Sequence, residues 1–181
     1  RGRIDHLLGQ LLDRPLDRLE SGVASVLRLG AYQILFSDRI PTSAAVDQAV
    51  HCARALGAER ATGLVNAVLR RLAAEKDSLS LPELDVDPIA HLTQALSLPE
   101  WIAKAWLELF GPEAAAEIAR ASNTPPPMSV RVNRTRITAD ELRAQLVERF
   151  PEVHACRYAE GGLSLGHRGN PALDPAFLAG L

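Results

Sequence analysis

Apolar residues recur at helical spacing through the first part of the chain, and the breaks between stripes mark four helices. Ile4, Leu7, Leu8, Leu11 and Leu12 form the first stripe, which Pro15 closes. The longest runs from Leu19 to Phe36 through Val23, Val26, Leu27, Gly30, Ile34 and Leu35, where Gly30 and Ala31 are small enough to let another helix approach closely. After Pro41, Thr42 or Ser43 can cap a third helix that runs to Leu56, with Gly57 as the left-handed residue that ends it. Leu64, Val65, Val68, Leu69 and Leu72 share one face of a fourth. These stripes predict a bundle over residues 1–76, packed in part by Tyr32, Val46, Val50, Val65 and Leu69.

Residues 77–87 read as a linker. The "DVD" at 85–87 resembles a carboxylate pair for a metal, but Asp87 followed by Pro88 is better explained as a cap with proline in the first turn. Helices follow at about 88–97, 100–110 and 112–122, broken by Pro99 and by Gly111-Pro112, with Trp101, Trp106 and Phe110 read as core. At "NTPPPMSVRVNRTRIT" the period changes to alternation: Met128, Val130 and Val132 point one way, Ser129, Arg131 and Asn133 the other. Thr138 and Glu141 spell a capping box that opens a helix to about Phe150. Strands near 153–158 and 162–165 are joined by a Gly161-Gly162 turn. The fold class is therefore mainly α: a bundle at 1–76, a linker and helical segment at 77–127, and the start of an α+β lobe at 128–181 that the chain is expected not to complete.

A chain of 181 residues, 47% apolar, supports one large domain or two small ones. Its net charge of −2 carries no overall basic signature, so local balance matters more. Lys and Arg number 11 against 9 acids in residues 1–80, 2 against 7 in 81–122, and 7 against 6 in 123–181. Two distant cysteines and no signal peptide suggest a reduced, cytoplasmic setting, and no apolar run is long enough to span a membrane. The first residue is Arg1 and the last segment is "AFLAGL", so a piece of a longer protein is expected.

The chemistry is sparse. The glycines of "EGGLSLGHRGNP" do not form G-x-G-x-x-G and read as turns. Cys52 shares a helix face with Ala45, Ala49, Ala53 and Leu56, the setting of a small buried hydrophobe, and neither His51 nor Cys156 completes a metal set. No catalytic, cofactor-binding or metal-binding residue is assigned. Arg28, Arg70 and Arg71 fit solvated helix faces and phosphate contacts equally well. Arg131, Arg134 and Arg136 differ, because the stretch from Thr124 to Ala139 holds no acid and guanidinium forks suit phosphate oxygens. The RNA-binding candidates are thus Arg131, Asn133, Arg134 and Arg136, with Arg70 and Arg71. The structural alternative is that Arg131 pairs with Glu141 or Glu148.

"LRLGAYQILFSDRIPTSAAVDQAV" followed by "GLVNAVLRRL" resembles the NusB-type helical domain. "PEWIAKAWLELFG" leading to "NTPPPMSVRVN" resembles the segment that follows it in the RsmB, or Sun, family of bacterial ribosomal RNA small subunit methyltransferases. The resemblance implies cytosine-5 methylation with S-adenosylmethionine in the full-length protein, small-subunit ribosomal RNA as partner, and no role for DNA. It also implies helices before Arg1 and a later Rossmann-like cofactor domain that carries the catalytic cysteines, one after a proline and one after a threonine. Cys52 follows His51 and Cys156 follows Ala155, so neither inherits that role, and this chain alone is expected to be inactive. A NusB-like adaptor in transcription antitermination is the alternative; a helical scaffold without RNA, favoured by the acidic middle segment, is a third.

Overall fold

Helix α1 (Gly2–Gly9) buries Ile4, Leu7 and Leu8 on the face the stripe predicts. The computed structural model describes residues 1–166 and 169–181, which divide into units at 1–123 and 124–181. In the first unit, α2 (Ser21–Phe36), α3 (Thr42–Ala55) and α4 (Thr62–Glu75) pack with α1 around one core that includes Leu27, Val46, Val65, Leu69 and Leu72. Gly30 is small where α2, α3 and α4 meet: a Cβ there would sit 2.5 Å from Leu69 Cδ1 and 3.3 Å from Ala49 Cβ, so any side chain would force Leu69 to move. The α1–α2 contact is also fixed by charge, since Arg28 donates to both carboxylate oxygens of Asp5, at 2.6 and 3.1 Å. That pairing gives Arg28 a structural task.

Several expectations for this unit need correction. Tyr32 is 51% exposed and lies off the buried stripe of Val23, Val26, Leu27 and Gly30, on the outer face of α2, whereas Val50, partly buried, does pack against the core as expected. Cys52 is exposed, because the buried face of α3 is centred on Ala45, Val46, Ala49 and Ala53 and Cys52 falls at its edge, beside Leu29 and Leu56. Neither Thr42 nor Ser43 caps α3: the residue before the helix is Pro41, and it makes no side-chain cap bond.

Asp87 caps α5 (Pro88–Ala90) by accepting from the Ala90 amide at 2.9 Å, with Pro88 in the first turn. The helix continues as a π turn, His91–Ala95. Ser97 ends it with φ 62°, a left-handed conformation that is unfavourable outside glycine, and Leu98 donates back to the Leu92 carbonyl. The span α6 (Glu100–Ser122) is two helical stretches that break at Gly111, as expected: its φ of 76° and ψ of 171° are not helical and a residue with a Cβ resists them, and Pro112 follows. Around Leu92 the buried residues are alanines, Ala103, Ala115, Ala116 and Ala119. Trp106 packs on them partly, but Trp101 is 73% exposed and Phe110 is also exposed, so they are not core. Trp101 precedes the buried Ala103 by two positions, which puts it on the far side of the helix.

In the second unit β1 (Met128–Arg131) precedes α7 (Ala139–Leu146), and β2 (His154–Ala155) and β3 (Gly162–Gly166) follow. The sheet order is β1-β3-β2, both pairings antiparallel, with Ser129 opposite Ser164, Val130 opposite Leu163 and Arg131 opposite Gly162. The capping box forms: the Glu141 amide donates to Thr138 Oγ1 at 3.3 Å, and the Thr138 amide donates to Glu141 Oε2 at 2.9 Å. Helix α7 stops at Leu146 rather than near Phe150, which is nonetheless buried with Val132, Leu142, Leu146, Val153, Leu163 and Leu165. The short α8 (Pro175–Leu178) closes the unit. His167 and Arg168 of the glycine-rich run lie outside the described residues.

Asp174 links α8 to the end of α7. It is buried, accepts from the Ala176 amide at 2.9 Å, and is held by Arg149, whose Nη2 donates at 3.1 Å. The Arg149 hydrogen bond keeps its carboxyl below the ordinary carboxylate value, against the opposing effect of burial. Because the folded value is depressed, this stabilisation is full above about pH 4, the unfolded aspartate value, and disappears as pH falls through the folded one. In thermal melts between neutral and strongly acidic pH, Asp174→Asn should lose less stability on acidification than the parent chain. Equal acid sensitivity would show that Asp174 does not carry the effect.

Candidate nucleic-acid interface

The strand β1 alternates as its sequence predicts. Val132, just past its end, is buried and Met128 and Val130 are half-buried, while Ser129 and Arg131 are exposed. Arg131, Asn133 and Arg134 line an open cleft of about 550 Å³ with Val132 and Glu160. The Arg131 guanidinium has no hydrogen-bond or ion-pair partner among the described residues, so it does not pair with Glu141 or Glu148. Arg134 Nη2 lies 3.2 Å from Glu160 Oε1, an exposed pair that contributes little to stability and can be exchanged for another anion.

The other two candidates on this segment are engaged within the unit. Asn133 Nδ2 donates to the Gly180 carbonyl at 2.8 Å, and its Oδ1 accepts from Thr135. Arg136 Nη1 donates to the Ala179 carbonyl. These bonds order the turn after β1 and leave Arg136 with further donors. Arg157 and Tyr158 were missed by the sequence reading: the guanidinium lies 5.1 Å from the ring centroid, and Tyr158 is almost fully exposed between β2 and β3. An adjacent Arg-Tyr pair beside the Gly161-Gly162 turn is the only signal that could have found them.

Arg70 and Arg71 are in the first unit, on the exposed face of α4. Arg70 Nε donates to Asn66 at 3.0 Å, and Arg71 Nε donates to Glu75 at 2.9 Å. The Glu75 contact raises the Arg71 guanidinium above its ordinary value. Both arginines thus have partners one turn away along their own helix.

Among the described residues no cluster of three or more His, Cys, Asp or Glu side chains could hold a metal ion, and no helix is long and apolar enough to cross a membrane. What the second unit offers instead is a small antiparallel sheet with the unpaired Arg131 guanidinium and the exposed Arg134 at one end.

Two domain families match the chain, and the second match begins within the first unit, at residue 98. Residues 1–74 match the NusB family, and residues 98–170 match the methyltransferase RsmF/B-like, ferredoxin-like domain. The chain is 38% identical over 178 residues to ribosomal RNA small subunit methyltransferase B of Pseudomonas putida, covering 98% of this chain and 39% of that protein. It is 32% identical over 164 residues to the probable ribosomal RNA small subunit methyltransferase B of Bacillus subtilis, covering 90% and 36%. Against the Escherichia coli protein of the same name the identity is 34% over 146 residues, covering 81% and 32%. Along nearly its whole length the chain is therefore similar to proteins named ribosomal RNA small subunit methyltransferase B, with a NusB-family match and an RsmF/B-like, ferredoxin-like match in succession. It spans about two-fifths or less of the length of these curated relatives.

Proposed function

We propose that this chain is the RNA-recognition portion of an S-adenosylmethionine-dependent ribosomal RNA cytosine-5 methyltransferase of the bacterial cytoplasm. It holds small-subunit ribosomal RNA for a catalytic domain lying outside these 181 residues. The observation that carries the reading is the cleft at the end of β1, where Arg131 is unpaired and Arg134 has only an exposed partner. Guanidinium groups in such a position meet phosphate oxygens and fix the register of a strand without reading its bases. An enzyme that attacks a base must first take it out of its stack, and holding the flanking RNA in place helps meet that cost. Arg131 and Arg134 are the primary contacts in this reading, Arg136 contributes its remaining donors, and Asn133 keeps the turn in shape. The ferredoxin-like match over residues 98–170 weighs against a lone NusB-type antitermination adaptor, which has no use for that second domain.

The affinity of the chain for single-stranded RNA should fall steeply with salt, as expected when cations displace counterions from phosphate. Binding that is absent, or insensitive to salt, would remove the basis for the proposal. The same chain should neither transfer a methyl group to RNA nor bind S-adenosylmethionine in a calorimetric titration, because its cysteines lack the family's flanking residues and it has no glycine-rich cofactor loop. Micromolar cofactor binding, or turnover abolished by Cys52→Ser, would move the catalytic site into this chain.

A further inference from the structure

The first unit contains an open groove of about 480 Å³ whose lining includes Arg1, Arg3, Tyr32, Phe36, Ser97 and Arg120 and no acidic residue. Its wall is an aromatic pair. Tyr32 and Phe36 lie one turn apart on α2 with centroids 5.5 Å apart, and each leaves about half its surface exposed. The Arg3 guanidinium sits 5.6 Å from the Phe36 centroid, and the Arg120 side chain has no partner among the described residues. The floor is fixed. Ser97, held at φ 62°, accepts from the Arg3 amide at 3.0 Å. A Cβ on Gly2 would lie 2.0 Å from the Thr93 carbonyl oxygen, so α1 packs directly on backbone at this point.

We propose that this groove is a second RNA contact, in which an unpaired base stacks on Tyr32 and Phe36 while Arg3 and Arg120 hold the adjoining phosphates. It rests on the reading of the chain as an RNA-binding portion. Arg1 is engaged by Asp5 at 3.3 Å, but exposed rings flanked by the Arg3 and Arg120 guanidinium groups, with no carboxylate in the lining, complement a π face joined to an anion, the two features every nucleotide presents. Unpaired bases can reach such a wall, whereas those of an A-form duplex are stacked within the helix and its major groove is too narrow for side chains. A wholly apolar protein segment would leave the arginines without anionic partners. Arg3 and Phe36 are far apart in sequence and meet only because α1 packs across the end of α2, so no local pattern announces the site.

The test uses the whole 181-residue chain, a single-stranded RNA of about ten nucleotides, and an abasic strand of the same length. Replacing Tyr32 and Phe36 together with Leu keeps apolar bulk but removes the rings. It should weaken binding of the RNA by about 5- to 150-fold, the range associated with loss of one stacked base, and leave the abasic strand unaffected. Unchanged RNA affinity, or equal losses on both strands, overturns the stacking proposal. If the double variant loses its helical circular dichroism, Arg120→Gln replaces it, and it should flatten the salt slope by about 0.7; an unchanged slope again overturns the proposal. A variant with Arg131, Arg134 and Arg136 all changed to Gln tells the two readings apart. If it alone weakens binding, the groove is wrong and the strand surface stands; if only the aromatic variant does, the groove stands and the strand surface is wrong. If neither does, RNA binding as a whole is refuted.

Discussion

Replacing Leu69 with alanine should lower the unfolding free energy of the helical unit by about 2–5 kcal/mol. Leu69 is fully buried at the point where α4 meets α2 and α3, so the change removes apolar burial and leaves a cavity. The geometry at Gly30 makes the test sharper. A Cβ there would fall 2.5 Å from Leu69 Cδ1 and 3.2 Å from Leu69 Cδ2, so Gly30→Ala in the parent chain forces Leu69 to shift and should also destabilise. In the Leu69→Ala background the same methyl enters space the leucine has vacated. The double variant should therefore be more stable than the sum of the two single losses predicts, with a coupling of about 0.5–3 kcal/mol in urea unfolding followed by circular dichroism. Additive losses would mean that the two residues do not share that space, and a loss below about half a kcal/mol for Leu69→Ala alone would mean that it is not buried.

This contact also shows what the sequence can and cannot reveal. Gly30 was recognisable as a close-approach position because a small residue interrupts a long apolar stripe. Thr138 with Glu141, and Asp87 with Pro88, were recognisable because a cap is completed within one turn of its own chain. Tyr32, Trp101, Phe110 and Cys52 were placed wrongly for a common reason. Periodicity groups residues into faces, but which side of a face meets a neighbour depends on elements distant in sequence. The buried face of α6 is made of alanines packed with Leu92, and Trp101 lies on the opposite side, exposed. The site divides in the same way. Alternation along β1 correctly placed Arg131 on the open face, whereas the bonds from Asn133 to Gly180 and from Arg136 to Ala179 span more than forty residues and leave no local trace.

Changing Arg131, Arg134 and Arg136 together to Gln should weaken single-stranded RNA binding and flatten its salt dependence by up to about two log–log units, at about 0.7 for each phosphate neutralised. If these arginines contact phosphate as proposed, their shares are expected to be unequal. Arg131 has no internal partner, so Arg131→Gln should remove close to one phosphate's share and leave the melting temperature unchanged. Arg134 must first leave Glu160, so Glu160→Gln should tighten binding and be felt most at low salt, where repulsion between carboxylate and phosphate is least screened. Arg136 is bonded to the Ala179 carbonyl, so its substitution should lower stability as well as affinity. The ordering separates contact from support. A residue that only supports the fold changes the melting temperature and leaves the salt slope intact, whereas a phosphate ligand on an open surface does the reverse. If Arg131→Gln shifts the melting temperature while the slope holds, the cleft at the end of β1 is a structural feature and the RNA must bind elsewhere.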